Sequence, residues 1–302
     1  MATKLRTSAR PEQDLAADEI LETLLVEAGA AGQLPTDQRK LLSFLGLEQL
    51  SFDFMKELEF LDPSKKPTGE IRAALHLAKR AVATQSGMND KRERFCVFHE
   101  IAHCVLPEHN LKIFVDDDQT LSWWTRARLE REANKFAADL LFQGNLFSEQ
   151  ALSLDISIGT VIELAPQYGA SYEAALRRYT EAHVMPCALL VYDKVAKSDH
   201  SFVEDDDYRL HYTISSAPFR KLYFAGVQMT EEKCKAAEIY SPNLTWSVGQ
   251  IAEKELVIET EEKEKWRFET EVFSNGYKIF QFLKRPLQTR SKGHQRNQQT
   301  SP

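Results

Sequence analysis

The sequence predicts an α+β protein, with a mainly helical first part and a C-terminal part rich in β-strands. Two patterns indicate this class. Through the first 185 residues, apolar side chains recur at intervals of three and four, as on one face of a helix. After Pro186 they form short runs typical of strands. The length of 302 residues, 43% of them hydrophobic, fits two or three compact units.

Composition excludes several classes of protein. No apolar run reaches the roughly 20 residues that cross a bilayer, so we expect no membrane span. Residues 1–10 are polar and basic and lack the apolar core of a secretory signal, which favours a cytoplasmic protein. The four cysteines have no CxxC spacing and are expected to be free thiols. A net charge of -7 argues against broad nucleic-acid binding.

The first elements are predicted to be helices. After an N-terminal tail at 1–13, which we expect to be disordered, helical spacing of Leu and Ile predicts a helix over 14–29. The Pro-Thr-Asp sequence at 35–37 favours the start of a second helix. The pattern over 52–86 is ambiguous, because 75–82 suits a strand as well as a helix.

Two longer helices are predicted next. Asn89 can cap a helix over 91–106, and Pro107 ends it. A second helix is expected over 125–142, with apolar residues repeating along one side. We assign residues 14–150 to one domain built around this pair.

A short helix-turn-helix-like segment is predicted at 151–185. Its helices cover 160–168 and 171–181, and Ser171 serves as the cap of the second. This second helix offers Arg177 and Arg178 against two glutamates, which is a weak electrostatic footprint for DNA. We therefore do not expect direct DNA binding.

A separate β-rich domain is predicted at 186–285. Asn275-Gly276 is typical of a hairpin turn between two strands. The predicted strands cover 188–192, 210–215, 266–273 and 277–283. The acidic run at 204–207 lacks the spacing of a calcium loop and is expected to be solvated. The tail at 286–302 is basic and polar, and we expect it to be disordered.

The motif with the clearest chemistry is His-Glu-Ile-Ala-His at 99–103. On a helix, His99 and His103 lie on the same face, so both imidazoles can bind one metal ion. Glu100 stands one position further around the helix, beside the open coordination position. From there it can take a proton from metal-bound water. The motif predicts a catalytic metal site.

His109 is one candidate for a third metal ligand. It follows His103 by six residues, the spacing of HExxHxxGxxH sites. In those sites a Gly allows the chain to turn back to the metal, whereas this sequence has Leu106 and then Pro107. We expect His109 to be an exposed loop residue.

Glu130 is the favoured third ligand. It lies on the second long helix beside small residues, which allow close approach to the motif helix. Asn134, one turn later, is placed to orient a ligating histidine. Glu132 is expected to point elsewhere, and the acidic residues at 116–118 are weaker candidates.

These segments resemble the ImmA/IrrE family of metallopeptidases. The resemblance lies in Arg-Glu-Arg-Phe at 92–95, which leads into the HExxH motif, and above all in Glu-Arg-Glu-Ala-Asn-Lys-Phe-Ala-Ala-Asp-Leu-Leu at 130–141. By position in this pattern Glu130 is the third metal ligand. The sequence departs from the family at Phe142-Gln143, where Met-Pro is usual, and at Ala102, where Gly is usual.

The resemblance implies a zincin-like metallopeptidase domain and a GAF-like C-terminal domain that senses a signal. It also implies a site-specific endopeptidase that cleaves a helix-turn-helix transcriptional repressor, and thereby derepresses stress-response or mobile-element genes. Zinc is the expected metal, with manganese and iron as alternatives. The competing hypothesis is a metal-binding regulator without catalysis, which acts by binding a repressor or DNA.

Overall fold

The computed structural model describes residues 12–54, 56, 71–109, 123–194, 208–223, 248–259 and 265–285. The predicted N-terminal tail up to residue 11, both acidic runs and the C-terminal basic tail lie outside the described residues. The chain divides into two compact units. The first combines Met1–Asp155 with Gly159–Tyr179, and the second combines Ile156–Ile158 with Thr180–Pro302. The separate segment predicted at 151–185 stays a prediction.

The first unit begins with two helices, as predicted. Helix α1 spans Glu12–Glu27, so residues 12 and 13 belong to a helix and not to the tail assigned to them. Helix α2 spans Gln38–Phe44, and the Asp37 carboxylate caps it by accepting hydrogen bonds from two backbone N–H groups of the first turn. No helix in the described part of the chain is long and apolar enough to cross a membrane.

A three-stranded sheet occupies the stretch that the sequence left undecided. Its strands are β1 (Glu48–Phe52), β2 (Ala73–His76) and β3 (Ala81–Gln85), in the order β1-β3-β2. Strand β3 pairs in parallel with β1 and antiparallel with β2. The run at 75–82 is thus neither one strand nor one helix, because Arg80 takes a left-handed conformation, with φ 51°, between two strands.

Two long helices follow, close to their predicted bounds. Helix α3 spans Asp90–Val105, and Asn89 caps it through its side-chain oxygen. Helix α4 spans Trp123–Phe142 and packs against α3. Ala102 of α3 and Ala133 of α4 are both fully buried, and such small side chains allow two helix backbones to approach closely.

Three shorter helices follow, α5 (Leu146–Leu152), α6 (Ile158–Leu164) and α7 (Tyr172–Ala182), and the first unit ends within α7 at Tyr179. Helix α6 starts and ends earlier than predicted. Its early end follows from Pro166, which cannot continue a helix although the apolar pattern runs on. Ser171 caps α7, as predicted. Arg178 of α7 is bound to the Asp139 carboxylate at 2.9 Å and to a carbonyl oxygen at 2.7 Å.

The second unit contains a five-stranded antiparallel sheet. Its elements are β4 (Cys187–Lys194), β5 (Tyr208–Ser215), helix α8 (Ala217–Tyr223), β6 (Ile251–Glu259), β7 (Lys265–Ser274) and β8 (Lys278–Lys284). The strand order is β5-β4-β8-β7-β6. The predicted α+β class, with a β-rich C-terminal region, is confirmed. Strand β6 was missed, since three consecutive charged residues at 253–255 interrupt its apolar pattern.

An ion pair is buried inside the second unit. Glu271 of β7 is 2% exposed, and its Oε1 lies 2.5 Å from the Lys284 Nζ of β8. The other oxygen, Oε2, accepts hydrogen bonds from the Ser157 hydroxyl at 2.8 Å and the Ile158 backbone N–H at 2.6 Å. The carboxylate therefore has partners at both oxygens, as a buried charge requires.

Candidate metal centre

Three side chains converge between α3 and α4. The Nε2 atoms of His99 and His103 lie 3.1 Å apart. The Glu130 carboxylate faces both rings, with Oε2 3.2 Å from His99 Nε2 and Oε1 3.6 Å from His103 Nε2. In the described part of the chain, these are the three residues whose potential ligand atoms cluster tightly enough to hold one metal ion.

The spacing of these atoms fits a tetrahedral zinc ion. Zinc binds imidazole nitrogen and carboxylate oxygen at about 2.0–2.2 Å, which places two ligands of a tetrahedron about 3.3–3.6 Å apart. The three observed separations of 3.1, 3.2 and 3.6 Å are close to this range. Two imidazoles and a carboxylate also form a donor set of catalytic zinc sites, which keep a fourth position open.

The Glu100 carboxyl group lies beside these donors and is buried. Burial raises its pKa to about 7, and the charge of Glu130 acts in the same direction, while His99 and the backbone N–H of Leu75 oppose the shift. The hydrogen bond from Leu75 connects strand β2 to the site. A carboxyl group with this pKa can both accept and release a proton near neutral pH.

The two histidines of the motif differ in their affinity for protons. Burial lowers the pKa of His103 to about 4, and the positive charge of His99 lowers it further. Burial also acts to lower the pKa of His99, but the hydrogen bond with Glu130 and the charges of Glu100 and Glu130 outweigh it and raise that pKa. The hydrogen bond to His99 lowers the pKa of Glu130. Without metal, His99 is therefore protonated in preference to His103.

His109 is not the exposed loop residue that the sequence predicted. Its side chain is 1% exposed, and its Nδ1 lies 2.9 Å from Nδ1 of His103. Residues 107–109 are helical, and the His109 N–H bonds to the Leu106 carbonyl oxygen, so the chain turns back toward α3. The turn needs no Gly, because Pro107 is well suited to the first position of a helical turn. His109 contacts a metal-ligand candidate without joining the donor cluster.

Glu132 also has a position that the sequence did not indicate. It stays outside the donor cluster, as expected, but its Oε2 lies 3.2 Å from His109 Nε2. Arg128 donates to Oε1 of Glu132 at 2.8 Å and to Glu108 at 2.6 Å. The spacing of Arg128 and Glu132 on α4 could have indicated this pair, whereas the contact with His109 depends on the turn after α3.

Asn134 has the position that the sequence predicted. Its side chain forms a hydrogen bond with His99, which helps to raise the pKa of this imidazole. The predicted orienting role of Asn134 toward a ligand candidate thus has a contact that supports it.

The comparison with protein families agrees with this geometry. Residues 60–180 match the model of the peptidase M78 family, described as the IrrE N-terminal-like domain. This range of the chain is therefore similar to the IrrE N-terminal-like domain. The matched range includes α3 and α4, and so all three clustered donors and Glu100. The predicted resemblance to the ImmA/IrrE family is confirmed.

Two further comparisons used the whole chain. A solved structure described as a Mycobacterium tuberculosis transcriptional regulator is similar over 92% of this chain and 89% of that chain. The sequence identity is 13% and the TM-score is 0.47. No curated protein sequence matches the chain.

Proposed function

We propose that this chain is a zinc-dependent, site-specific endopeptidase of the cytoplasm. The observation that carries the proposal is the convergence of His99, His103 and Glu130 beside the buried Glu100 carboxyl group. The match of residues 60–180 to a peptidase family model supports the same activity. Manganese and iron remain alternatives for the metal, since both also accept imidazole and carboxylate ligands.

A helix-turn-helix transcriptional repressor is the proposed substrate. This part of the proposal rests on the ImmA/IrrE resemblance of the sequence, and so does a signal-sensing, GAF-like role for the C-terminal sheet. Arg178 of α7 is already bound to Asp139 and to the Gly144 carbonyl oxygen. This leaves fewer cations on α7 for phosphate groups, which supports docking of a protein over direct binding of DNA.

Each residue of the site has a distinct role in this proposal. His99, His103 and Glu130 would hold the zinc ion, which would supply an activated water and polarise the carbonyl group of the peptide bond. Glu100 accepts the proton of the attacking water and delivers it to the leaving amine nitrogen. The Leu75 N–H holds the Glu100 carboxylate in place through its hydrogen bond. Asn134 orients the His99 ring.

The test replaces Glu100 by Gln. The zinc-loaded chain is incubated with purified helix-turn-helix repressors encoded near its gene, and the products are identified by mass spectrometry. We expect one defined cut by the wild type. Since Glu100→Gln removes the proton acceptor without removing a ligand, cleavage should fall at least about 100-fold while bound zinc is retained.

Glu163→Gln is the matched control, because Glu163 is an exposed residue of α6 outside the donor cluster. It should cleave like the wild type. If Glu100→Gln relieves repression as well as the wild type does, the chain acts without catalysis, and the regulator hypothesis replaces the peptidase.

A further inference from the structure

We propose that His109 is a positioning residue of the metal site. Together with Glu132 it holds His103 in the tautomer that leaves Nε2 free to bind metal. This inference deepens the proposed function and rests on it, since it assumes that His103 is a ligand.

The two ring nitrogens of His103 face different partners. Nε2 points to the donor cluster, where it lies 3.1 Å from His99 Nε2 and 3.6 Å from Glu130 Oε1. Nδ1 points the other way and lies 2.9 Å from Nδ1 of His109. The second nitrogen of His109, Nε2, lies 3.2 Å from Glu132 Oε2. The side chains of His103, His109 and Glu132 therefore form a series that leads from the metal position to a carboxylate.

Only one arrangement of hydrogens satisfies this series when both imidazoles are neutral. An ionised carboxylate only accepts hydrogen bonds, so Nε2 of His109 has to donate to Glu132. A neutral His109 then has a bare Nδ1, which can accept a hydrogen bond only from the Nδ1–H of His103. His103 is left with a bare Nε2, the form that binds a metal. If His103 carried its hydrogen on Nε2 instead, two lone pairs would face each other at 2.9 Å. If both rings were reversed, the bare Nε2 of His109 would face the Glu132 carboxylate at 3.2 Å.

Burial makes this arrangement decisive. The His109 side chain is 1% exposed, so water does not readily replace a missing partner. A buried donor or acceptor without a partner is unfavourable enough to shift the tautomer ratio at least several-fold. The tautomer of an exposed imidazole would have no such constraint.

The Glu132 carboxylate is itself held in place. Arg128 donates to its Oε1 at 2.8 Å from one helical turn earlier on α4, and the same guanidinium binds Glu108 at 2.6 Å. The hydrogen bond from Arg128 fixes the position of the carboxylate that faces His109. Helix α4 therefore supplies Glu130 to the metal position and, two residues later, the acceptor that ends the series.

The test compares His109→Phe with His109→Gln. Phe keeps a planar ring but has neither nitrogen, whereas the Gln amide can accept from His103 and donate to Glu132. Competition with a chelator at pH 7.5 should show zinc affinity reduced about 10–100-fold in His109→Phe and partly restored in His109→Gln. Unfolding of the metal-free variants in urea serves as the measure of structural damage.

The tautomer of His103 is a readout that structural damage alone would not shift in a defined direction. In metal-free protein labelled with ¹⁵N at histidine, the wild type should show His103 with hydrogen on Nδ1. In His109→Phe, a large fraction should carry it on Nε2. Glu132→Leu interrupts the other end at a partly exposed position, and it should shift the tautomer in the same direction even if His109→Phe does not fold.

Three outcomes decide between the proposals. The positioning role would be overturned if His109→Phe changed neither the zinc affinity nor the tautomer of His103. If His109→Phe does not fold, the same result in Glu132→Leu would overturn it. If Glu130→Gln loses zinc in the same assay, the metal site itself stands. Zinc retained in Glu130→Gln but lost in His109→Phe would make His109 a ligand, which would overturn both this inference and the proposed donor set.

Discussion

Protons are distributed unevenly over the residues of the metal-free site. At pH 6, His103 is neutral, because its pKa of about 4 lies well below the pH of the solution. His99 is charged, because its pKa is raised above the ordinary value of 6.5. The Glu100 carboxyl group, with a pKa of about 7, carries a proton. Two of these groups have to change their protonation state when a metal dication binds.

Zinc binding at pH 6 should therefore release protons. His99 binds metal only as the neutral imidazole, so its raised pKa makes affinity fall as the pH falls through that pKa. A neighbouring dication lowers the pKa of Glu100 and expels its proton as well. Calorimetry in buffers of different ionisation enthalpy measures the release. It should decrease between pH 6 and pH 8, because above a pKa of about 7 Glu100 is already ionised.

Glu100→Gln is the control for this proton count. The variant should release about one proton less than the wild type at pH 6 and should approach it at pH 8. A release that is equal in both proteins at pH 6 would contradict the protonated state of Glu100.

At the scale of elements, Gln143 joins the end of α4 to the loop that precedes α2. Its amide oxygen accepts from the Gly32 N–H at 2.7 Å, and its amide nitrogen donates to the Gln33 carbonyl at 2.7 Å. The same nitrogen lies 3.2 Å from the Ala30 carbonyl oxygen and from the Thr36 hydroxyl. The Pro usual at this family position has no such amide, so the departure at Gln143 has a structural role.

Replacing Gln143 by Ala should lower the free energy of unfolding by about 2–4 kcal/mol, because buried backbone groups lose their partners. Gln143→Gly isolates the hydrogen bonds from backbone strain. Gln143 has a φ of 50°, a region that costs other residues about 1 kcal/mol relative to Gly. The Gly variant should therefore be about 1 kcal/mol more stable than the Ala variant in urea unfolding. An Ala variant as stable as the wild type would contradict the role of the amide.

The sequence predicts the long helices well, and for physical reasons. The apolar residues of α4 recur at helical spacing from Leu129 to Phe142, and Asn89 gives α3 a cap whose position follows from one residue. His99, His103 and Glu130 could be placed on facing helices for the same reason. The order of residues on a helix determines which of them share a face.

The short strands and His109 could not be predicted in this way. Strands β1 to β3 have only four or five residues, and β1 has no buried residue that would mark a periodic pattern. The position of His109 depends on one turn at residues 106–107 and on a partner 23 residues later in the sequence, Glu132. Such contacts are tertiary, and local periodicity carries no information about them.

At the scale of the whole molecule, the donor cluster and the buried ion pair belong to different units. His99, His103 and Glu130 all lie in the first unit, and Glu271 and Lys284 lie in the second. The stability of the second unit and the metal affinity of the first therefore depend on separate sets of side chains.

Lys284→Met should destabilise the second unit by about 3–5 kcal/mol, because it leaves the buried Glu271 charge without its counterion. Zinc affinity should be unchanged. Lys278→Met is the matched control, since its partner Asp193 is partly exposed and the pair should contribute about 1 kcal/mol or less. The double variant Glu271→Gln with Lys284→Met should recover part of the loss. Reduced zinc affinity in Lys284→Met would contradict the independence of the metal site from the ion pair of the second unit.

The exposure of the donor cluster is uneven. The side chains of His99 and His103 are 18% and 13% exposed, whereas that of Glu130 is 51% exposed. In the proposed zinc site, an incoming chelator would therefore displace the carboxylate while both imidazoles still held the ion. Exchange by this route is associative, with a rate proportional to chelator concentration, and needs no opening of the helices. The proposed site would therefore exchange its metal rapidly at high chelator concentration.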